Sequence, residues 1–241
     1  MTRTAIVTGG GTGIGRAVAR RLAGDGLDVV ITGRRKEVLE TTAHDLGVRA
    51  VAFDASDAAA VEAALPALPT RVDVLVNNAG GNVGRTRPTP GEGDLAGIAD
   101  LWTAQFEANV ISAVMMTSAL TPRLADGGRV ISIGSIAGAR GGGAYGAAKA
   151  ALHTWIGDLA FELGGRGITV NLVAPGVIED TEFFGGGVPA ERRALLVSQS
   201  ANGRTGRPAD IADTVAFLAS PEAGHITAQV IHVNGGAFRG R

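Results

Sequence analysis

Cysteine is absent from the 241 residues of this chain, which excludes disulfide bonds and metal sites built from thiolates. No apolar run approaches the roughly 18 uninterrupted residues that predict a membrane-spanning helix, and the first residues form no apolar signal segment. The net charge is only −1, which argues against binding to a polyanion such as nucleic acid. We therefore expect a soluble cytoplasmic protein that binds neither nucleic acid nor membrane.

Tyrosine occurs once and lysine twice, yet Tyr145 and Lys149 stand four residues apart. On a helix, residues at this spacing lie on the same face. An ammonium beside a phenol favours the phenolate, so the pKa of the hydroxyl should fall below the usual tyrosine value of about 10. The pair then suits general acid/base chemistry. The alternative is an ordinary pair of helical neighbours.

Short apolar runs alternate with longer helical patterns along the whole chain. Because the apolar runs are continuous, we expect strands that are covered on both faces. The alternation predicts parallel βαβ units in one α/β domain, a doubly wound parallel sheet (Rossmann fold) with helices on both faces. We predict strands at 4–8, 28–32, 50–53, 72–76, 129–133, 169–173 and 230–233. Helices are predicted at 15–24, 35–46, 58–65, 101–124 and 145–163.

Two stretches depart from this rhythm. Residues 81–94 are rich in Gly, Pro and Thr and predict a surface loop. Residues 178–207 follow the end of a predicted strand, at the edge where open α/β sheets bind ligands. This second stretch is a candidate substrate lid, with a packed connection as the alternative.

A glycine-rich segment follows the first predicted strand and opens the first helix. Glycines permit a tight turn close to a pyrophosphate, and the helix N-terminus supplies free N–H groups and a positive dipole. No Lys-Ser/Thr pair follows, so the segment is not a P-loop. The alternative is a glycine-rich turn that binds no ligand. The candidate cofactor contacts in this segment are Gly9, Gly11, Thr12, Gly13, Ile14 and Gly15.

The end of the second predicted strand indicates which dinucleotide binds. An acidic residue there would accept a hydrogen bond from the ribose 2′-hydroxyl of NAD(H), but none is present. Arg34 and Arg35 follow the strand instead, and guanidinium groups suit a 2′-phosphate. The sequence therefore favours NADP(H) over NAD(H). Two solvated arginines in the first turn of a helix are the alternative interpretation.

Several motifs in order make the chain resemble the short-chain dehydrogenase/reductase family along nearly its whole length. These motifs are Thr8-Gly9-x-x-x-Gly13-Ile14-Gly15, Phe53-Asp54, Asn77-Asn78-Ala79-Gly80, Asn109, Ser135, Tyr145-x-x-x-Lys149 and Pro175-Gly176. The resemblance implies an oxidoreductase that interconverts a ketone and a secondary alcohol, with a 3-oxoacyl thioester as one plausible substrate. It also implies a homotetramer or homodimer.

The resemblance implies catalytic roles for four residues. Tyr145 would give its proton to the substrate carbonyl oxygen, and Ser135 would hydrogen-bond that oxygen. Lys149 would hold the nicotinamide ribose and lower the pKa of Tyr145. Asn109 would anchor a water that links Lys149 to solvent.

The remaining implied contacts are with the cofactor. Asp54 would accept from the adenine amino group, and Asn77, Ala79 and Gly80 would line the adenosine ribose. Pro175, Gly176 and Ile178 would present backbone groups to the nicotinamide carboxamide. Ala55 and Thr181 complete the set of candidate cofactor contacts.

The chain departs from the family pattern at two places. The stretch from Ser135 to Tyr145 is shorter than in most members, and counting back by the usual spacing points to Ser132. We select Ser135 because Ser132 lies inside the predicted strand, whereas Ser-Ile-Ala-Gly from Ser135 matches the family's strand-end sequence. The second departure is at Thr181, since the family's usual threonine comes slightly earlier.

Other residue types carry less information. The histidines show no metal-ligand spacing, so we expect no metal site; they are His44, His153, His225 and His232. Trp102 and Trp155 are expected in the core or an interface. A non-catalytic NADP(H)-binding regulatory protein on the same fold is the alternative to an enzyme, and it would be expected to lack part of the proton-transfer set.

Overall fold

The computed structural model describes residues 2–184 and 190–240. It contains a parallel sheet of seven strands in the order β3-β2-β1-β4-β5-β6-β7, which confirms the predicted doubly wound α/β fold. The strands are β1 (Thr4–Thr8), β2 (Asp28–Gly33), β3 (Arg49–Ala52), β4 (Val72–Asn77), β5 (Leu124–Ile133), β6 (Thr169–Pro175) and β7 (Gln229–Val233).

Helices cover both faces of this sheet. They are α1 (Gly13–Gly24), α2 (Lys36–Leu46), α3 (Ala58–Ala64), α4 (Leu95–Phe106), α5 (Ser112–Leu120), α6 (Ala137–Arg140), α7 (Gly143–Gly164), α8 (Ala190–Ser198) and α9 (Pro208–Ala219). A π-helical turn, Glu107–Ile111, joins α4 to α5. No helix within the described ranges is both long and apolar enough to cross a bilayer.

Successive strand residues point to opposite faces and so build two cores. Ala5 and Val7 of β1 pack with α1, α2 and α9 on one face, whereas Ile6 packs with α3, α5 and α7 on the other. Because both faces are covered, the central strands β4 and β6 are buried along their whole length and most of their residues are apolar, as the sequence indicated.

The structure corrects the bounds of one predicted helix and contains two helices that were not predicted. The helix predicted at 101–124 begins at Leu95, where the Asp94 carboxylate accepts from the Gly97 N–H at 2.9 Å as an N-cap, and it ends at Leu120. The short α6 was not predicted. Nor was α9, although Pro208 at its first turn is a typical start signal.

The strand order reverses between β1 and β4, which lie side by side although β2 and β3 intervene in the chain. Ligands of open α/β sheets bind at such a switch point, beyond the carboxyl ends of the strands. The glycine-rich turn after β1 and the loop after β4 meet at this edge.

The predicted lid at 178–207 is only partly described. Its described residues contain the 3₁₀ turn Glu182–Phe184 and then α8. A parallel bridge joins Ile178 to Gly206, so the two ends of the stretch are held together. Residues 185–189, which include the glycines after Phe184, lie outside the described residues.

Candidate active site

The glycine-rich turn is tied to the loop after β4 through Thr8 and Asn78. The Thr8 hydroxyl accepts from the N–H groups of Asn78 and Ala79 at 3.0 and 2.9 Å. The Asn78 amide donates to the carbonyls of Thr8 and Gly9 at 2.9 and 3.1 Å. These bonds place Ala79 and Gly80 beside the turn, and Asn78 is a structural residue that sequence reasoning did not single out.

The Asn77 side chain points into the protein interior. Asn77 is the last residue of β4, it is 4% exposed, and its amide donates to the Thr117 hydroxyl of α5 at 2.8 Å. Neighbouring strand residues point to opposite faces, so Asn77 faces the helical layer while Asn78 faces the turn. The Asn77 amide therefore binds within the fold, and the contact of this position with the adenosine ribose stays a prediction.

The turn itself has the geometry that close approach to a ligand requires. Gly13 has a φ of +52°, in the left-handed region that favours glycine. A Cβ at Gly15 would lie 2.2 Å from the Gly9 carbonyl oxygen, so only glycine lets α1 start this close to β1. No described side chain caps α1 at Thr12, which leaves the first N–H groups of the helix directed at the switch point.

Two arginines and an aspartate lie at the ends of β2 and β3. Arg34 forms an ion pair with Asp54 at 3.8 Å, and Asp54 also accepts from the Ser56 N–H and hydroxyl. Burial would raise the pKa of Asp54, but the Ser56 bonds and the Arg34 charge hold it below its usual value. Ala55 is buried next to this carboxylate.

Arg35 is engaged by Glu182, a residue that the sequence did not single out. The Glu182 carboxylate accepts from two Arg35 nitrogens at 3.1 and 2.5 Å and from the Thr12 hydroxyl at 3.1 Å. Hydrogen bonding with Arg35 lowers the pKa of Glu182. A side chain of the predicted lid thus reaches across the glycine-rich turn to the predicted phosphate-binding arginine.

Ser135, Tyr145 and Lys149 come together at the carboxyl end of β5. Tyr145 and Lys149 lie on α7, and the Ser135 side chain is close enough to the Tyr145 hydroxyl to lower its pKa. Ser132, the alternative serine, is fully buried inside β5. The short connection before Tyr145 is closed by Gly141, Gly142 and Gly143, which all have positive φ.

Lys149 is 4% exposed and donates to the Ile133 carbonyl at 3.0 Å, with its Nζ 6.0 Å from the Tyr145 ring centroid. Burial lowers the pKa of the ammonium to about 8.

The pKa of Tyr145 does not move in the predicted direction. Burial raises it, while the hydrogen bond with Ser135 and the positive charge of Arg85 act to lower it. The expected pKa lowering by Lys149 is therefore corrected: in this arrangement the nearby cation that favours the phenolate is Arg85, from the loop after β4.

Asn109 lies in the π-helical turn and is 1% exposed. It accepts from the Gly81 N–H at 3.0 Å and donates to the Gly81 and Gln105 carbonyls, both at 2.9 Å. These bonds fix the start of the loop after β4. The π turn adds one residue to the helix and so turns this side chain towards the loop.

The residues after β6 close the other side of the site. Pro175 ends β6, and Gly176 packs against Asn234, where a Cβ would meet the asparagine side chain at 2.9 Å. Ile178 is buried. Thr181 donates to the Ile178 carbonyl at 3.3 Å and faces Gly13, so the structure brings it to the glycine-rich turn.

Comparison with known proteins identifies the family. The family model described as Enoyl-(Acyl carrier protein) reductase matches residues 9–237. The 3-oxoacyl-[acyl-carrier-protein] reductase FabG of Escherichia coli K12 is 37% identical, over 98% of this chain and 97% of the enzyme.

Solved structures agree with this match. A short-chain dehydrogenase/reductase from Brucella melitensis has a TM-score of 0.87 at 29% identity, with 99% of this chain and 97% of the other covered. A blue fluorescent protein from a metagenomic library, crystallised with NADPH, has a TM-score of 0.84 at 36% identity and 98% coverage of both chains. The chain therefore belongs to the short-chain dehydrogenase/reductase family of oxidoreductases.

Proposed function

We propose that this protein is an NADP(H)-dependent enzyme that interconverts a ketone and a secondary alcohol, with Tyr145 as the general acid or base. The observation that carries the proposal is that Ser135, Tyr145 and Lys149 meet at the end of β5: Ser135 acts on the pKa of the Tyr145 hydroxyl, and the Lys149 Nζ lies 6.0 Å from the Tyr145 ring centroid. The 37% identity to a 3-oxoacyl-[acyl-carrier-protein] reductase supports this reaction class.

The residues at the switch point fit a dinucleotide that carries a 2′-phosphate. The uncapped N-terminus of α1 suits a pyrophosphate, and Asp54 offers a carboxylate acceptor for an adenine amino group. Arg34 and Arg35 lie where a 2′-phosphate would need cations. Structural relatives crystallised with NADPH give independent support.

In the proposed reaction, the cofactor and the catalytic side chains have separate roles. When bound, the cofactor supplies or accepts the hydride. Ser135 and Tyr145 hold the substrate oxygen, and Tyr145 donates its proton to that oxygen during reduction. Lys149 holds a ribose hydroxyl, and the charge of Arg85 favours the phenolate that proton transfer leaves behind. Asn109 keeps the loop after β4 in place and is proposed to anchor a water that resupplies protons.

Two further features belong to the proposal. The 178–207 stretch acts as a lid over the substrate, since Thr181 and Glu182 already contact the glycine-rich turn. The protein assembles as a homodimer or homotetramer through α4 and α7. Trp102 on α4 is 44% exposed and Phe161 on α7 is 89% exposed, so each of these two neighbouring helices offers a large apolar side chain to such an interface.

The test uses purified protein, NADPH, NADH and a panel of ketones. Turnover is expected with NADPH, and Tyr145→Phe should lower kcat by at least about a hundredfold because general acid catalysis contributes that much. Equal turnover by the phenylalanine variant would refute the assigned acid. Gly33→Asp should shift the cofactor preference towards NADH. If the wild-type protein binds NADH more tightly than NADPH, the proposed role of Arg34 and Arg35 in binding the 2′-phosphate is refuted.

A non-catalytic regulator would bind NADPH and turn over no ketone or alcohol.

A further inference from the structure

An aromatic ring connects a surface arginine to the catalytic tyrosine. The Phe183 ring lies 5.8 Å from the Tyr145 ring, centroid to centroid, at an interplanar angle of 50°. The guanidinium carbon of Arg85 lies 4.8 Å from the centroid of the same Phe183 ring. Three separate segments therefore meet at the entrance to the proposed active site: the loop after β4, the segment after β6 and α7.

Arg85 is held in this position by the fold. It ends the 3₁₀ turn Val83–Arg85, in which the Asn82 side chain accepts from the Gly84 N–H at 3.1 Å. The preceding Gly81 is fixed at both its N–H and its carbonyl by the buried Asn109. A cation–π contact with Phe183 orients the planar guanidinium while leaving the arginine exposed. The guanidinium is therefore held in place at the protein surface.

A charge at this place matters for the substrate. The reacting carbonyl oxygen has to reach Tyr145, and Arg85 lies one aromatic ring away from that tyrosine, so a second polar group of a small ketone can come within reach of Arg85. A guanidinium fork forms its strongest hydrogen bonds with a carboxylate or a phosphate. A 3-oxoacyl thioester is uncharged near its keto group and offers this arginine only the weaker acceptor of its thioester carbonyl.

We propose that Arg85 forms an anion-binding subsite and that the substrate is a small ketone carrying a carboxylate or phosphate near the reacting carbonyl. This inference rests on the proposed ketone–alcohol function and specifies its substrate class. Phe183 positions the guanidinium and covers the apolar side of the same substrate.

The experiment compares matched pairs of charged and neutral ketones. Levulinate is paired with methyl levulinate, and dihydroxyacetone phosphate with dihydroxyacetone, so the two pairs distinguish a carboxylate from a phosphate. The wild-type enzyme should favour at least one anion in kcat/KM. Arg85→Gln should reduce that anion-to-neutral ratio about tenfold, mainly through KM, because one charge-assisted hydrogen bond is lost. Arg85→Lys, which keeps the charge, should restore part of the ratio.

Arg87→Gln is the matched control, because Arg87 is an exposed arginine of the same loop. It should keep the wild-type ratio. An unchanged ratio in Arg85→Gln, or an equal loss in Arg87→Gln, would overturn the anion subsite. Turnover of the neutral ketones without any preference for the anions would refute the subsite and leave the proposed function standing.

Failure of every ketone and alcohol to react would refute the proposed function instead. Calorimetric titration of levulinate and methyl levulinate into the protein with NADP⁺ then still measures the preference for the anion. Weaker binding of levulinate to Arg85→Gln than to wild type would support the subsite, and equal binding would overturn it.

Discussion

Replacing Glu182 with glutamine should tighten the binding of NADPH. Glu182 accepts from two nitrogens of Arg35 and from the Thr12 hydroxyl, so a carboxylate already occupies the donors proposed for the 2′-phosphate. A phosphate would have to replace this carboxylate on Arg35, and the two negative charges would repel each other if both stayed. Glutamine keeps the size and one acceptor oxygen but removes the charge.

The expected gain follows from the exposure of the pair. Both the Arg35 and the Glu182 side chain are 58% exposed, so solvent screens their attraction, and exposed ion pairs contribute at most about 1 kcal/mol. The two-nitrogen geometry and the added Thr12 bond place this pair at the upper end of that range. A gain of about 1 kcal/mol corresponds to about fivefold tighter binding of NADPH.

Calorimetry with four ligands isolates the phosphate. NADPH and 2′,5′-ADP should both bind Glu182→Gln about fivefold more tightly than wild type. NADH and ADP, which lack the 2′-phosphate, should change by less than about twofold. Glu179→Gln is the control, because Glu179 belongs to the same segment but pairs with Arg193. An equal gain for NADH, or none for 2′,5′-ADP, would refute competition at Arg35.

Three further substitutions test the packing of the site. The Lys149→Met variant should be more stable than the wild type at pH 7 by about 2 kcal/mol. Removing the desolvated charge contributes about 3 kcal/mol, and losing the hydrogen bond to the Ile133 carbonyl costs about 1 kcal/mol. Burial lowers the pKa of Lys149 to about 8, so the unfolded chain binds this proton more tightly and the wild-type stability rises from about pH 8 towards 10.5. In denaturant titrations, the stability difference between the variant and the wild type should therefore be smaller at pH 9.5 than at pH 7. A variant that is less stable than the wild type at pH 7 would contradict this prediction. Asn109→Leu should lower the free energy of unfolding, measured in urea, by about 3 kcal/mol because it leaves buried backbone groups without hydrogen-bond partners. A loss below about 0.5 kcal/mol would refute the role of Asn109 in holding the loop. Gly15→Ala should cost about 2 kcal/mol in the same assay because its Cβ would clash with the Gly9 carbonyl, and a neutral effect would contradict the close approach.

Much of the fold was predictable because strand and helix periodicities are local. The continuous apolar runs located all seven strands, six of them to within two residues, whereas β5 begins five residues before its predicted start. The long helix was predicted to start too late because Gly97 interrupts the helical pattern, yet Asp94 caps that turn and tertiary packing tolerates the glycine. The missed α9 had a start signal in Pro208, but it followed a stretch already assigned to a lid.

The candidate site was predictable where a residue's role depends on its own chemistry and its position after a strand. Ser135, Tyr145 and Lys149 come together as expected. The direction of the Tyr145 pKa was not predictable, because burial outweighs the charges and the cation acting on the hydroxyl is Arg85, which is sixty positions away. Nothing in the sequence pattern relates Arg85 to α7, since only the folded loop brings it there.

The same limit applies to Glu182, and it points to how the two ends of the site communicate. Glu182 contacts Arg35 at the proposed phosphate end, while its neighbour Phe183 contacts Tyr145 and Arg85 at the proposed catalytic end. Both residues belong to one 3₁₀ turn. The Glu182 side chain can rotate away from Arg35 without moving its backbone, whereas any shift of the turn's backbone on that displacement would carry Phe183 with it. Only such a backbone shift would couple binding at the phosphate end to the position of the ring that contacts Tyr145 and Arg85.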